Sequence, residues 1–140
     1  MGSLRRALAI YRDEPAFTRS RLERRFLDLV RVAGLPAPTM NFSVGEYELD
    51  AYWQRERFAV ELDVYETHGS RAAFERDRVR QEELKLRGIE MIRVTGSRLA
   101  HEPDTVIERL GTLLRQRRRQ LGIEAEAVRV RTASLRSVRV

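Results

Sequence analysis

Four carboxylates on two neighbouring segments carry the chemical interest of this chain. In Val60 to Gly69, VELDVYETHG, Glu61 and Asp63 alternate with Val60, Leu62 and Val64, the pattern of a strand with one apolar and one acidic face. One of the chain's two histidines, His68, stands just beyond it. The preceding segment repeats the alternation: Tyr47, Leu49, Ala51 and Trp53 share one face, and Glu46, Glu48, Asp50 and Tyr52 the other. A hairpin centred on Arg55 and Glu56 sets Trp53 opposite Phe58, Asp50 opposite Glu61 and Glu48 opposite Asp63. Opposed Cβ atoms lie about 4.5–5.5 Å apart, so like charges there repel. Three arrangements relieve the repulsion: the acids face water beside arginines, share a proton, or hold a divalent cation. A hard ion such as Mg²⁺ takes carboxylate and carbonyl oxygens at roughly 2.0–2.1 Å and keeps several waters, so Asp50, Glu61 and a nearby backbone carbonyl are a suitable ligand set.

The rest of the composition pulls the other way in charge. Net charge is +6 with a pI near 10.6, and Lys85 is the only lysine, so the positive surface is made of arginine. Such a surface favours polyanions, nucleic acid or acidic membrane. A basic chain with an acidic cation site suits phosphodiester hydrolysis, where the ion offsets charge in the transition state and arginines hold flanking phosphates. The 140 residues fit one domain, and 42% hydrophobic content supplies its core. The chain has no cysteine, which excludes disulfides and thiolate metal sites. No apolar run approaches the roughly 18 residues of a membrane span, and no secretory signal opens the chain, so a cytoplasmic protein without a membrane partner is expected. The opening Met1-Gly2-Ser3 is also consistent with a domain cut from a longer protein, which would add a further domain or partner protein.

The elements that must position these acids follow from periodicity. Leu22, Phe26, Leu29, Val30 and Ala33 have helical spacing, after a cap expected at Ser20 and before Gly34 and Pro36. Residues 39–66 alternate and predict two or three strands in a meander. Ser70 caps a second helix that stops at Gly88, IEMIRVT is a further strand, and Pro103 opens a last helix carrying Val106, Ile107, Leu110, Leu113 and Leu114. The expected fold is α/β, a mixed central sheet flanked by helices in the order α-β-β-β-α-β-α. Residues 1–19 form an N-terminal flank, 20–120 the domain, and 121–140 a tail or an extra edge strand.

Six motifs in this order resemble a known family: ERRF on the first helix, GEYELD and VELD on successive strands, the THG exit, AFERDR opening a helix and IRVT on a late strand. Together they resemble the very-short-patch-repair-like (Vsr-like) endonucleases, and more closely a broad bacterial family of small Vsr-like domains in the PD-(D/E)XK nuclease superfamily. The resemblance covers about Ser20 to Arg115. It implies a restriction-endonuclease-like core and an endonuclease that needs Mg²⁺ (or Mn²⁺) and acts on DNA. By position, Asp50 is the metal-binding aspartate, Glu61 stands at the second acidic position, and Glu23 is the helix acid in or near the metal's water shell. His68 falls where Vsr-like enzymes place a catalytic histidine. Asp63 stands where the E-x-K lysine is usual, which leaves water activation to His68 or to the ion. The cysteine zinc site and aromatic wedges of the repair enzymes are missing from the sequence, so mismatch repair does not follow. An inert nucleic-acid-binding or regulatory module of the same fold, or a ribonuclease toxin, are the alternatives.

Other residues have plainer accounts. Glu23 also completes an S-x-x-E capping box with Ser20. Among the charges of residues 70–88, ladders of i to i+3 or i+4 ion pairs on a solvated helix explain most, while Arg76 and Arg80, one turn apart, are the pair to test for phosphate contact. Arg115 to Gln120 is a basic helix end that suits the helix dipole as well as DNA. His101 lies in a linker before the last helix, and Trp53 faces the core.

Overall fold

The computed structural model describes residues 18–64 and 70–123. The elements are α1 (Arg19–Val32), β1 (Thr39–Val44), β2 (Tyr47–Trp53), β3 (Phe58–Asp63), α2 (Arg71–Leu86), β4 (Glu90–Thr95), α3 (Gly96–His101) and α4 (Pro103–Leu121). The strands form one sheet in the order β1-β2-β3-β4. The first three are antiparallel neighbours, and β4 returns through α2 to lie parallel to β3. A parallel return needs a long crossover, which α2 provides. The fold is thus a mixed sheet flanked by helices, as expected, with one element more than the periodicity shows.

That element is α3. Thr95 ends β4 and at once caps the new helix, its Oγ1 accepting from the Arg98 N–H at 3.1 Å. Six residues are too few to display a helical period, although Leu99 is fully buried. His101 therefore ends a helix rather than lying in a linker. It is exposed, and its Nδ1 lies 2.8 Å from the Ser97 carbonyl.

The apolar stripes of the helices account for the layering. Leu22, Phe26 and Val30 of α1 and Val106, Leu110 and Leu114 of α4 pack with Ala51, Trp53, Phe58, Val60, Leu62 and Val94 on one sheet face. Trp53 is core, and its indole N–H donates to the Pro36 carbonyl at 2.7 Å. On the other face Leu84 of α2 packs with Leu49, Tyr52, Ala59 and Ile89. Capping is as expected at Ser70, whose hydroxyl accepts from the Ala73 N–H at 3.2 Å, and at Pro103, which opens α4. It differs at α1. Thr18, not Ser20, is the cap, accepting from the Arg21 N–H at 3.3 Å, so the capping box of Ser20 and Glu23 does not form. The two or three strands expected over residues 39–66 resolve to three.

One irregularity decides the site. The faces expected for β2 hold only in part, because Met40 and Ala51 pack in the α1/α4 core whereas Phe42 and Leu49 pack in the α2 core. Both strands change phase together at Asn41 and Asp50, between the pairs Met40–Ala51 and Phe42–Leu49. Asn41 takes a positive φ of 53°, a left-handed conformation that asparagine tolerates better than most side chains. Tyr52 consequently shares a face with Leu49, not with Glu46 and Glu48. The β2–β3 register is as expected for Trp53–Phe58, Tyr52–Ala59 and Ala51–Val60, but the paired ladder ends there. Asp50–Glu61 and Glu48–Asp63 are not ladder pairs.

The basic end of α4 has a structural task that neither the dipole nor DNA explains. Arg118 Nε donates to Glu56 Oε1 at 2.9 Å, and Arg117 donates to the carbonyls of Glu56 and Gly88. These arginines tie the β2–β3 turn and the start of β4 to the last helix. Residues 1–17 of the flank expected over 1–19, and residues 124–140 of the tail or edge strand expected over 121–140, lie outside the described residues, whereas Arg19 and Leu121 belong to α1 and α4.

Candidate active site

Where its ladder stops, β2 turns Asp50 toward β3. Asp50 is only 2% exposed, and both carboxylate oxygens are held: Oδ2 accepts from the Leu62 backbone N–H at 2.8 Å, and Oδ1 from Arg19 Nη2 at 2.7 Å. The carboxylate thus takes a backbone donor that a regular strand pair would have used. Arg19, the first residue of α1, also approaches Glu23 at 3.7 Å, one turn on. The Asp50 charge, more than the Glu23 charge, raises the Arg19 pKa further above its ordinary value.

Glu61 lies on the α2 side of β3, beside Asp50. Burial pushes its carboxyl up to about 7, the Asp50 carboxylate adds to the rise, and Arg80 partly opposes it. Arg80 reaches across from α2, donating to Glu61 Oε1 and, at 3.0 Å, to the Glu48 carbonyl. Its guanidinium also stands 5.7 Å from the centre of the Tyr47 ring, and its Nε is buried with no hydrogen-bond partner among the described residues. Arg93 of β4 donates to Asp77 of α2 at 2.6 Å, and that bond raises the Arg93 pKa. The charges on this face of α2 therefore bind the sheet, and the expected ladder along the helix does not account for Asp77, Arg80 or Glu83, whose Oε2 accepts from the Tyr47 hydroxyl.

These groups line one open cavity of about 930 Å³. Its walls hold the carboxylates of Glu46, Glu48, Asp50, Glu61, Asp63 and Asp77 against the guanidiniums of Arg19, Arg80 and Arg93. Asp50, Glu61, Asp63 and Arg80 are thus brought together. Glu23 is outside the lining and is connected through Arg19; Arg76 is exposed on α2 and also outside the lining. His68 lies outside the described residues. Arg19, Asp77 and Arg93 were not singled out from the sequence, where nothing but Arg19's i to i+4 spacing to Glu23 hints at a role.

The donor set fits a hard divalent ion that keeps much of its water. Two adjacent carboxylates, Glu61 being pushed up by burial and then by Asp50, gain when a cation offsets their repulsion, and the cavity has room for water ligands. It does not form an all-protein cage: among the described residues no group of three or more His, Asp or Glu is placed to hold an ion. No helix among the described residues is long and apolar enough to cross a membrane.

No curated protein matches the chain. Its structure is similar to that of the catalytic domain of the homing endonuclease I-Bth0305I, with a TM-score of 0.56 and 17% identity over 68% of this chain and 94% of that one. At that identity the likeness establishes the restriction-endonuclease-like fold. The family model REase_MTES_1575 matches residues 22–114, a span that contains both core acids, the strands that carry them and α2. The chain belongs to this restriction-endonuclease-like nuclease family.

Proposed function

We propose that the chain is a divalent-metal-dependent endonuclease that hydrolyses phosphodiester bonds in DNA, with Mg²⁺ or Mn²⁺ held by Asp50 and Glu61. The observation that carries this reading is the buried Asp50 beside a Glu61 carboxyl raised to about 7, both on one open cavity in a nuclease-family domain. The ion supplies charge neutralisation on the phosphate and a lowered pKa for the attacking water.

The chain's own residues do the rest. The Leu62 N–H fixes the orientation of Asp50, so its carboxylate is preorganised and costs little to reorganise during reaction. Arg80 holds Glu61 and favours its ionised form. Asp63, on the cavity wall where the superfamily usually has lysine, helps to order water, and His68 accepts or returns a proton. Glu23 acts through Arg19 and the water near Asp50. Arg76, on the exposed side of α2, contacts a flanking phosphate. Within the superfamily the chain resembles the Vsr-like branch, on the motifs GEYELD, VELD and AFERDR.

The test is nicking of supercoiled plasmid in Mg²⁺, Mn²⁺ or EDTA by the wild-type chain, Asp50→Ala and Asp50→Asn. Cleavage that needs metal and is lost in both variants supports the proposal. DNA binding without cleavage in any metal favours a second reading, an inert binding module, for which the pairing of both core acids with arginines speaks. Metal-dependent cleavage of RNA alone would instead make the chain a ribonuclease.

A further inference from the structure

The two arginines on the core acids are not equivalent. Arg80 is wedged: its Nη2 is shared between Glu61 and the Glu48 carbonyl, its Nε is buried, and the Tyr47 ring stands beside it. Its side chain is 21% exposed. Arg19 is attached at one end only. Its side chain is 65% exposed, yet its guanidinium makes a 2.7 Å bond to a carboxylate that is 3% exposed. Its second partner, Glu23, is 3.7 Å away.

Asp50 has little carboxylate surface to spare. Oδ2 is taken from inside by the Leu62 N–H, a backbone donor that cannot leave without opening the sheet, and Oδ1 is taken from the cavity side by Arg19. A cation approaching Asp50 through the cavity meets the oxygen that Arg19 occupies.

We infer that Arg19 is an internal counter-ion that occupies the cation's place on Asp50 and leaves when the cation binds. This inference rests on the proposed metal site. In the cation-free protein the guanidinium neutralises a buried carboxylate that would otherwise stand alone, which is costly. With a divalent ion on Asp50 that need would be gone, and the ion and the guanidinium would repel each other at the same carboxylate. Arg19 then swings outward on its long stem, still tethered at the N-terminus of α1 beside the cavity, with its donors free for a phosphate. Cation and polyanion binding are coupled in this way, because each favours the arginine's outward position, and the coupling is reciprocal.

The measurement is calorimetric titration of Mn²⁺ into the metal-free full chain, comparing wild type, Arg19→Ala, Arg19→Gln, Asp50→Asn and Arg24→Ala. Arg24 is an exposed arginine of the same helix and controls for net charge. Removing the competitor is expected to tighten Mn²⁺ binding about five- to tenfold in both Arg19 variants, in line with the net worth of one hydrogen bond discounted for the exposure of the Arg19 side chain, while Arg24→Ala stays within twofold of wild type and Asp50→Asn loses binding. The thermal shift on adding Mn²⁺ should likewise be larger in Arg19→Ala than in wild type. Equal or weaker binding in the Arg19 variants, with Asp50 still required, overturns the inference and leaves the metal site standing. An equal gain in Arg24→Ala also overturns it, since net charge then suffices. Absence of Mn²⁺ binding in wild type and every variant overturns the metal site and the inference with it.

Discussion

At the scale of single residues, the proposed chemistry turns on two carboxylates in unlike environments. Asp50 accepts hydrogen bonds from a guanidinium and a backbone N–H, whereas Glu61 is pushed up to about 7 by burial and by Asp50. The folded carboxyl of Glu61 thus binds its proton more tightly than its ordinary value of 4.5 allows in the unfolded chain. Its contribution to stability is fully present below the unfolded value and is lost as pH rises through about 4.5 to 7. In EDTA, Glu61→Gln, which mimics the protonated group, should gain stability over wild type across that window, by roughly 1–2 kcal/mol at its upper end after allowance for solvent screening. Urea midpoints at pH 5 and 8 check this; an unchanged difference would mean that Glu61 titrates normally. Asp50→Ala removes the acceptor of the Leu62 N–H and should cost about 1–3 kcal/mol for the orphaned donor. Asp50→Asn keeps an acceptor, so a smaller loss is expected, and it is the cleaner variant for activity.

At the scale of elements, irregular backbone and a clamp set where the acids stand. The shared change of phase in β1 and β2 at Asn41 and Asp50 releases Asp50 from the ladder. Asn41→Val places a β-branched residue at a φ of 53° and should destabilise by about 1–2 kcal/mol, while Asn41→Gly should be nearly neutral. Thermal melts of the two variants distinguish them. The β2–β3 turn depends on α4 through the nearly buried pair of Glu56 and Arg118. Removing one partner leaves the other charge uncompensated, so Arg118→Ala should lose about 3 kcal/mol in denaturant unfolding. A loss near zero would show that the turn holds its register unaided.

At the scale of the whole molecule, a net charge of +6 coexists with a cavity in which carboxylates outnumber guanidiniums. On the proposed reading, the basic surface would bring a polyanion close and the acidic cavity would reject bare phosphate until a cation is present. DNA affinity should therefore fall steeply with salt, and Arg76→Ala should weaken it about evenly across sequences and lower the log–log salt slope by about 1. Fluorescence anisotropy at several salt concentrations reads both quantities; an unchanged slope would remove Arg76 from the interface.

The sequence by itself determined the α/β class, the meander and its register at Trp53–Phe58, the cap at Ser70, the start of the last helix near Pro103, and the neighbourhood of Asp50 and Glu61. Periodicity could do this because it reports which side of an element is apolar, and a hairpin register follows from where its turn lies. Only the tertiary structure decided that the ladder stops at Ala51, that Thr18 rather than Ser20 caps α1, and which arginine meets which acid. Arg19 and Asp50 are 31 positions apart, Arg80 and Glu61 19, and Arg118 and Glu56 62. No period links such pairs. In a chain so rich in arginine, long flexible side chains choose their partners by where packing leaves a buried carboxylate in reach, and that is a property of the folded layers alone.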